Sequence, residues 1–410
     1  MDTGQVQPSV KICFAVLVHN KREVVQDMLD NIRFYCPHSS IVLFNGGSQR
    51  DLCDNLGYPV CPASRKLTYG VTAVYLLEVM EWLESINFDY DYLINLDSDA
   101  LFVREGYENF IEQEMKNSDY MGVDVFVRDR NWYCGEQLKK EWQRWKPLLL
   151  TDTFIGAFNV GQVQSRRLVR RLLSWEQFAY LKNNLLHTKA YGIDEIIYVM
   201  MADRFGFKPK SYPKEPGLPV RYRPHYRYQE IIRIINERLN SFVVHPIKRK
   251  MKDEARTLVR CLRWRAARKQ EKMPDYVNLK AVSIIRSRYG NLEIITRTNN
   301  RLIHAWRDEQ RKNWHRNPPF ASGVSGTPFF TESRDGNFHV IAPLIKGGIG
   351  HWWRDNRRSR KSWYGPATFG KRQMNVVSLM NTRRKQLVAV VEKDGHLRSY
   401  KSRHGRWKSN

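Results

Sequence analysis

Tyr92-Leu93-Ile94-Asn95-Leu96-Asp97-Ser98-Asp99 is an apolar run of strand length that ends in two carboxylates one residue apart. Successive residues of a strand point to opposite faces, so alternate residues share a face. Asp97 and Asp99 can therefore approach the same ion while Ser98 points away or turns the chain. Mg²⁺ and Mn²⁺ prefer oxygen ligands, and Mg²⁺ usually rests on one or two carboxylates together with phosphate oxygens. The triplet predicts a divalent-cation site whose natural companion is a nucleoside diphosphate. Its alternative is an ordinary polar turn, so the surrounding chain has to be read with it.

Working outward, Lys11 to His19 is a continuous apolar run of the kind that forms a buried parallel strand. Asn20 to Tyr35 carries Val24, Val25, Met28, Leu29 and Ile32 at helical spacing. Ile41 to Phe44 reads as a second strand, closed by Asn45-Gly46-Gly47, and Val71 to Leu83 as an amphipathic helix. Strands alternating with helices predict an α/β fold with a mainly parallel, Rossmann-like sheet. In such sheets ligands bind beyond the carboxyl ends of the strands. His19-Asn20, Asn45-Gly46-Gly47 and Asp97-Ser98-Asp99 all fall there.

Further on, Tyr120 to Val127 reads as a strand, and Gly156 and Gly161 bracket another within Thr153 to Gly161. Ser165 is placed to cap a helix reaching Leu181. Tyr191-Gly192-Ile193-Asp194-Glu195 opens a helix ending near Gly206, and Ile231 to Leu239 forms a short one. Ile247 to Lys272 reads as a basic helix whose apolar face includes Ile247, Met251, Ala255, Leu258, Val259, Leu262 and Ala266. That face can pack between domains or lie on an anionic membrane.

The last third repeats itself. Gly290-Asn291-Leu292-Glu293-Ile294-Ile295 matches Gly336-Asn337-Phe338-His339-Val340-Ile341, with a weaker copy at Lys385 to Val390. Leu292, Phe338 and Leu387 are 46 and 49 residues apart, and Trp314, Trp363 and Trp407 are 49 and 44 apart. A period of this length built from short alternating strands predicts β-propeller-like blades. The tryptophans serve either as blade core or as platforms for a sugar ring. The predicted domains are 10–247, a linker helix over 248–274, and three blades over 275–410.

The net charge of +26 is unevenly distributed. Residues 1–207 have 22 basic against 27 acidic side chains, whereas 208–274 carry a net +13 and 275–410 a net +18. Such a basic half predicts an anionic partner: a polymer, a membrane surface or nucleic acid. No zinc or RNA-binding motif points to a specific nucleic acid. Met1 to Ser9 lacks the basic start and apolar stretch of a secretory signal, and no run has the length of a membrane span. The six cysteines show no paired metal spacing, so reduced thiols and a cytoplasmic location, peripheral on the inner face of the membrane at most, are expected.

With Lys11 to Asn20, Asp97-Ser98-Asp99, the Gly156 to Gly161 segment, Asp194-Glu195 and His245 in view, residues 10–247 resemble the GT-A glycosyltransferases, which use nucleotide sugars and carry an Asp-x-Asp signature. The resemblance implies that Asp97 and Asp99 hold Mn²⁺ or Mg²⁺ on the donor diphosphate, with His245 completing the metal site. It implies a UDP-sugar more readily than a GDP-sugar, and a glycan or other hydroxyl acceptor, with Phe158, Asn159 and Gly161 on the acceptor side. Asp194 or Glu195 would take the acceptor proton. Asn20 and Asn45 would touch the nucleotide. Each position also has a plain alternative: a helix N-cap for Asp194, a solvated turn before proline for His245, and turn chemistry for the two asparagines.

Residues 276–408 resemble the blades of bacterial fucose-lectin-type propellers, which implies carbohydrate binding. Three blades fall short of a closed ring, so an exposed edge predicts a homo-oligomer. Two other readings compete. One is a non-catalytic lectin-like or polyanion-binding protein. The other is a sugar nucleotidyltransferase, although His19-Asn20-Lys21-Arg22-Glu23 lacks the glycine-rich loop expected after the first strand of such enzymes.

Overall fold

The computed structural model describes residues 9–19, 21–128, 132–213, 219–237, 241–270, 281–308, 310, 314–357, 362–371, 373–382, 386–403 and 406–409. The chain divides into two compact units, 1–226 with 238–253, and 227–237 with 254–410.

The first unit is built on a six-stranded mixed sheet in the order Ser40–Asn45, Ile12–Val18, Tyr92–Asp97, Val163–Ser165, Tyr120–Gly122, Lys210–Ser211. The three leading strands run parallel, with Leu17 paired to Phe44 and to Asp97. Val163–Ser165 runs antiparallel to both of its neighbours. Ile12 to Val18 is buried throughout, as expected of a strand covered on both faces. The helix Arg22–Tyr35 buries Val24, Val25, Met28, Leu29 and Ile32, the positions that the spacing selects. It also buries Asn31, whose amide accepts from Phe102 N at 2.7 Å and donates to Phe102 O at 2.9 Å. A polar residue on an apolar face is tolerated because both of its groups are satisfied.

Several elements depart from the sequence reading. The strand expected over Tyr120–Val127 breaks after Gly122, Asp124 adopts φ 54°, and Phe126–Arg128 turns away to pair with Phe154–Gly156. A side chain at Gly122 would meet Ala157 Cβ at 2.9 Å, so the bend depends on glycine there. The strand expected up to Gly161 stops at Gly156, and the following residues form a loop. The helix capped by Ser165, which accepts from Leu168 N, ends at Leu173 because the chain turns to bury Trp175. A separate helix then covers Phe178–His187.

The basic helix starts at Glu254 instead of Ile247, so 248–253 belong to the first unit and the helix Glu254–Gln270 to the second. Lys250 N donates to Lys248 O at 2.8 Å and Asp253 N to Lys250 O at 2.9 Å, and these tight turns keep 248–253 out of the helix. Ala255, Leu258 and Val259 are buried, and the helix packs on the Asn375–Asn381 strand of its own unit.

The second unit contains three four-stranded antiparallel sheets, each with its strands in chain order: Ala281–Arg286 to Trp314–Arg316, Phe329–Glu332 to Trp363–Phe369, and Asn375–Asn381 to Arg406–Ser409. The register repeats from sheet to sheet. Leu292, Phe338 and Leu387 pair with Arg307, Arg354 and Ser402, and these pair in turn with Trp314, Trp363 and Trp407. Trp363 stacks on Phe320 at 4.3 Å and Trp407 on Phe369 at 4.5 Å, so both pack against the hydrophobic core. No disulfide joins the six cysteines. Among the described residues, no helix is long and apolar enough to cross a membrane.

Candidate metal centre and cleft

The site is assembled at the carboxyl end of the Tyr92–Asp97 strand. After Asp97 the chain turns, with Ala100 N donating to Asp97 O, and continues as the short strand Leu101–Phe102. Val243–Val244 pairs antiparallel to it, so the next residue, His245, arrives beside Asp99. His245 Nε2 lies 3.4 Å from Asp99 Oδ1. Ligand atoms of Asp97, Asp99 and His245 all fall within 4.8 Å of one another. Two carboxylates and an imidazole form a donor set suited to Mn²⁺ or Mg²⁺, the imidazole favouring Mn²⁺. Asp97 Oδ1 and His245 Nδ1 are buried and have no hydrogen-bond partner among the described residues, so each retains a free lone pair or ring nitrogen for a further bond. These residues fit a cation.

Arg249 is a member of the site that the sequence reading missed. Its Nη2 lies 2.9 Å from Asp99 Oδ1 and 3.3 Å from Asp97 Oδ2, and its Nε donates to Ser98 Oγ at 3.0 Å. Within Lys248-Arg249-Lys250, nothing in the local pattern separates this cation from its neighbours.

The two aspartates are electrostatically unlike. Burial pushes the Asp97 carboxyl above its usual range, with Arg249 opposing. Burial acts the same way on Asp99, but the His245 hydrogen bond and the Arg249 charge prevail and hold it at about 2. His19 lines the same cleft, and burial lowers its imidazole against the pull of Asp97.

A second pair of carboxylates lines the cleft. Asp194 and Glu195 lie on a short 3₁₀ turn, Ile193–Glu195. Thr72 Oγ1 donates to Asp194 Oδ2 at 2.5 Å, and Asn159 Nδ2 approaches the same oxygen at 3.4 Å. Burial raises the Asp194 carboxyl despite these bonds. Cys134 Sγ lies 3.4 Å from Glu195 Oε2.

Asn95, inside the strand that opened the sequence reading, ties the two halves of the cleft together. Its Oδ1 accepts from Gln162 N at 2.7 Å, its Nδ2 donates to Asn159 O, and its backbone O accepts from Gly161 N at 2.9 Å. Gln162 Nε2 in turn donates to Asp194 O at 2.9 Å.

The remaining expected site residues are placed differently. Asn45 commits its amide to the turn, accepting from Gly47 N and donating to Gln49 O, and Gly46 lines the cleft in its stead. Phe158 and Gly161 hold the loop through backbone bonds to Val123 and Asn95, while Asn159 alone of that trio lines the cleft. Asn20 lies outside the described residues.

The rim is aromatic. The Tyr222 hydroxyl meets those of Tyr191 at 3.2 Å and Tyr69 at 3.3 Å, and Tyr133 packs edge-on to Tyr191 at 5.6 Å. Hydrogen bonds from Tyr191 and Tyr69 hold the Tyr222 phenol below its usual range. The rim closes because Gly192 N donates to Gly70 O at 2.7 Å, with both glycines at positive φ. No protein-family model and no curated protein matches this chain.

Proposed function

We propose that this chain is a metal-dependent glycosyltransferase of the GT-A type, moving a sugar from a nucleoside-diphosphate donor to a hydroxyl of a glycan, cell-envelope or protein acceptor. One observation carries the reading. Asp97 and Asp99, at the carboxyl end of a central parallel strand, are joined by His245 from a distant segment, with donor atoms within 4.8 Å. When bound there, Mn²⁺ or Mg²⁺ would offset charge developing on the departing diphosphate. On the chain's own side, Asp194 or Glu195 would accept the proton of the acceptor hydroxyl, and Thr72 and Asn159 would orient Asp194 for it. The exposed rings of Tyr69 and Tyr222 at the rim suit a ligand with both apolar faces and hydroxyls, such as a sugar. The donor proposed is a UDP-sugar.

The basic second unit is proposed to hold a glycan or anionic surface and to favour self-association through its three-bladed array. A cytoplasmic location goes with this reading. The test is release of nucleoside diphosphate from a panel of UDP- and GDP-sugars, with and without Mn²⁺, by the wild type and by Asp97→Ala/Asp99→Ala. The expected result is Mn²⁺-dependent release that the double variant loses. Absence of both release and metal-dependent nucleotide binding would leave the transferase reading without support.

A further inference from the structure

We propose that Arg249 is the resident counter-ion of the Asp97–Asp99–His245 site, that it competes with a divalent cation for the same carboxylates, and that a nucleoside diphosphate resolves this competition by receiving the displaced guanidinium. The inference rests on the cation-site reading and adds to it an order of events and a coupling between ligands.

The geometry sets the competition. Arg249 Nη2 sits on an oxygen of each aspartate, at 2.9 and 3.3 Å, and Nε holds the intervening Ser98 hydroxyl at 3.0 Å. One guanidinium thus spans the Asp-Ser-Asp triplet. The donor atoms of Asp97, Asp99 and His245 lie within 4.8 Å of one another. Ligands of Mg²⁺ at 2.0–2.1 Å stand no more than about 4.2 Å apart in an octahedron. An ion bound to both carboxylates therefore takes up the side chains on which Nη2 now rests.

Charge leads to the same result. Two carboxylates and one guanidinium leave a net charge of −1 in a largely buried pocket. A divalent cation added beside a retained Arg249 would turn that to +1 and place two cations against each other, an arrangement that burial makes unfavourable. Moving Arg249 off the aspartates without a new anion would leave its own charge unpaired. A diphosphate removes both difficulties, because its oxygens complete the cation's shell and its geometry matches the arginine fork. The chain permits the movement: Ile247 N is anchored to Asp99 O, while Arg249 lies beyond that anchor on a tight turn in which Lys250 N donates to Lys248 O. Cation and diphosphate therefore bind with positive coupling, and each alone binds weakly.

The experiment is titration of the full chain with Mn²⁺, with free Mn²⁺ read by electron paramagnetic resonance, in the absence and presence of UDP. The proteins compared are the wild type, Arg249→Ala and Arg249→Lys. Arg249→Ala should bind Mn²⁺ alone about tenfold more tightly than the wild type, and the tightening produced by UDP should shrink by a similar factor. Arg249→Lys, which keeps a charge but loses the fork, should fall between them, and it carries the comparison if circular dichroism shows that the alanine variant is unfolded. Equal or weaker Mn²⁺ binding by folded Arg249 variants, or an undiminished UDP effect, overturns the proposal. Folded proteins that bind no Mn²⁺ in any form overturn the cation-site reading itself, and the two failures are thereby told apart.

Discussion

At the scale of single residues, the site depends on polar groups whose removal has separable effects. His245 contributes an imidazole nitrogen next to Asp99, with Nδ1 unpartnered among the described residues. His245→Ala should weaken Mn²⁺ binding by at least the roughly 10–100-fold seen when even a supporting partner is lost, without unfolding the chain. Mn²⁺ titration paired with a urea denaturation curve checks both parts. Asn95 has a different role. Replacing it with leucine keeps the branched shape but strands Gln162 N–H and Asn159 C=O, both of which it now satisfies. A buried group left unpaired costs about 1–3 kcal/mol, so Asn95→Leu should lower the urea midpoint measurably and loosen the loop that carries Asn159. Hydrogen exchange over 157–163 should rise with it. An unchanged midpoint would mean that water or a rearranged loop serves those groups.

At the scale of elements, the cleft is set by how closely two irregular segments approach. Gly192 has φ +76°, and a Cβ there would lie 2.3 Å from Cys134 Sγ. Gly192→Ala should therefore destabilise the chain by about 1–3 kcal/mol and shift the 193–195 turn that carries Asp194 and Glu195. Adding Cys134→Ala should relieve the Sγ contact but neither the φ penalty nor the 3.0 Å approach to the Cys134 Cβ, so the double variant should recover only part of the loss in a thermal melt. Full recovery would show that sterics alone govern the turn. Arg249 illustrates the limits of local reading at this scale. The apolar positions after residue 247 continue helical spacing smoothly, yet the turns closed by Lys250 N on Lys248 O and Asp253 N on Lys250 O delay the helix to Glu254. Periodicity registers which face is apolar, and the turns before Glu254 set where the helix begins.

At the scale of the whole molecule, the second unit carries a pH dependence of its own. Trp407 Nε1, which can only donate, binds His351 Nδ1 at 3.2 Å, and His351 Nε2 faces His339 Nδ1 at 3.2 Å. Burial holds His351 down at about 3 and His339 at about 4. Between pH 6.5 and about 4 the unfolded chain therefore takes up protons that the folded unit refuses. Stability should be fully present above pH 6.5 and fall on acidification, by at most about 1.4 kcal/mol per pH unit for each histidine. Hydrogen exchange of peptides covering 338–354, followed from pH 7.5 to 5 and corrected for intrinsic rates, should show protection declining. Protection that holds steady would show that the pair is protonated without loss of the fold.

Much of this molecule was legible in the chain. The apolar runs at 12–18 and 92–97 and the helix at 22–35 reflect burial patterns that repeat locally, with period 2 or 3.6, and such patterns survive without any knowledge of distant contacts. The repeat survives in the same way, and strand pairing places Trp314, Trp363 and Trp407 at equivalent positions in three sheets. Asp97 and Asp99 were readable because their spacing alone puts them at one strand end. Local pattern did not show which residues from far along the chain would meet them, and His245 was expected there through the family resemblance alone. The pairing of Val243–Val244 with Leu101–Phe102 delivers His245, Asn95 and Gln162 connect Asp194 to the central strand, and Arg249 lands on both aspartates. Those encounters depend on loop paths and side-chain packing between segments, for which no local periodicity exists, and only the tertiary structure decided them.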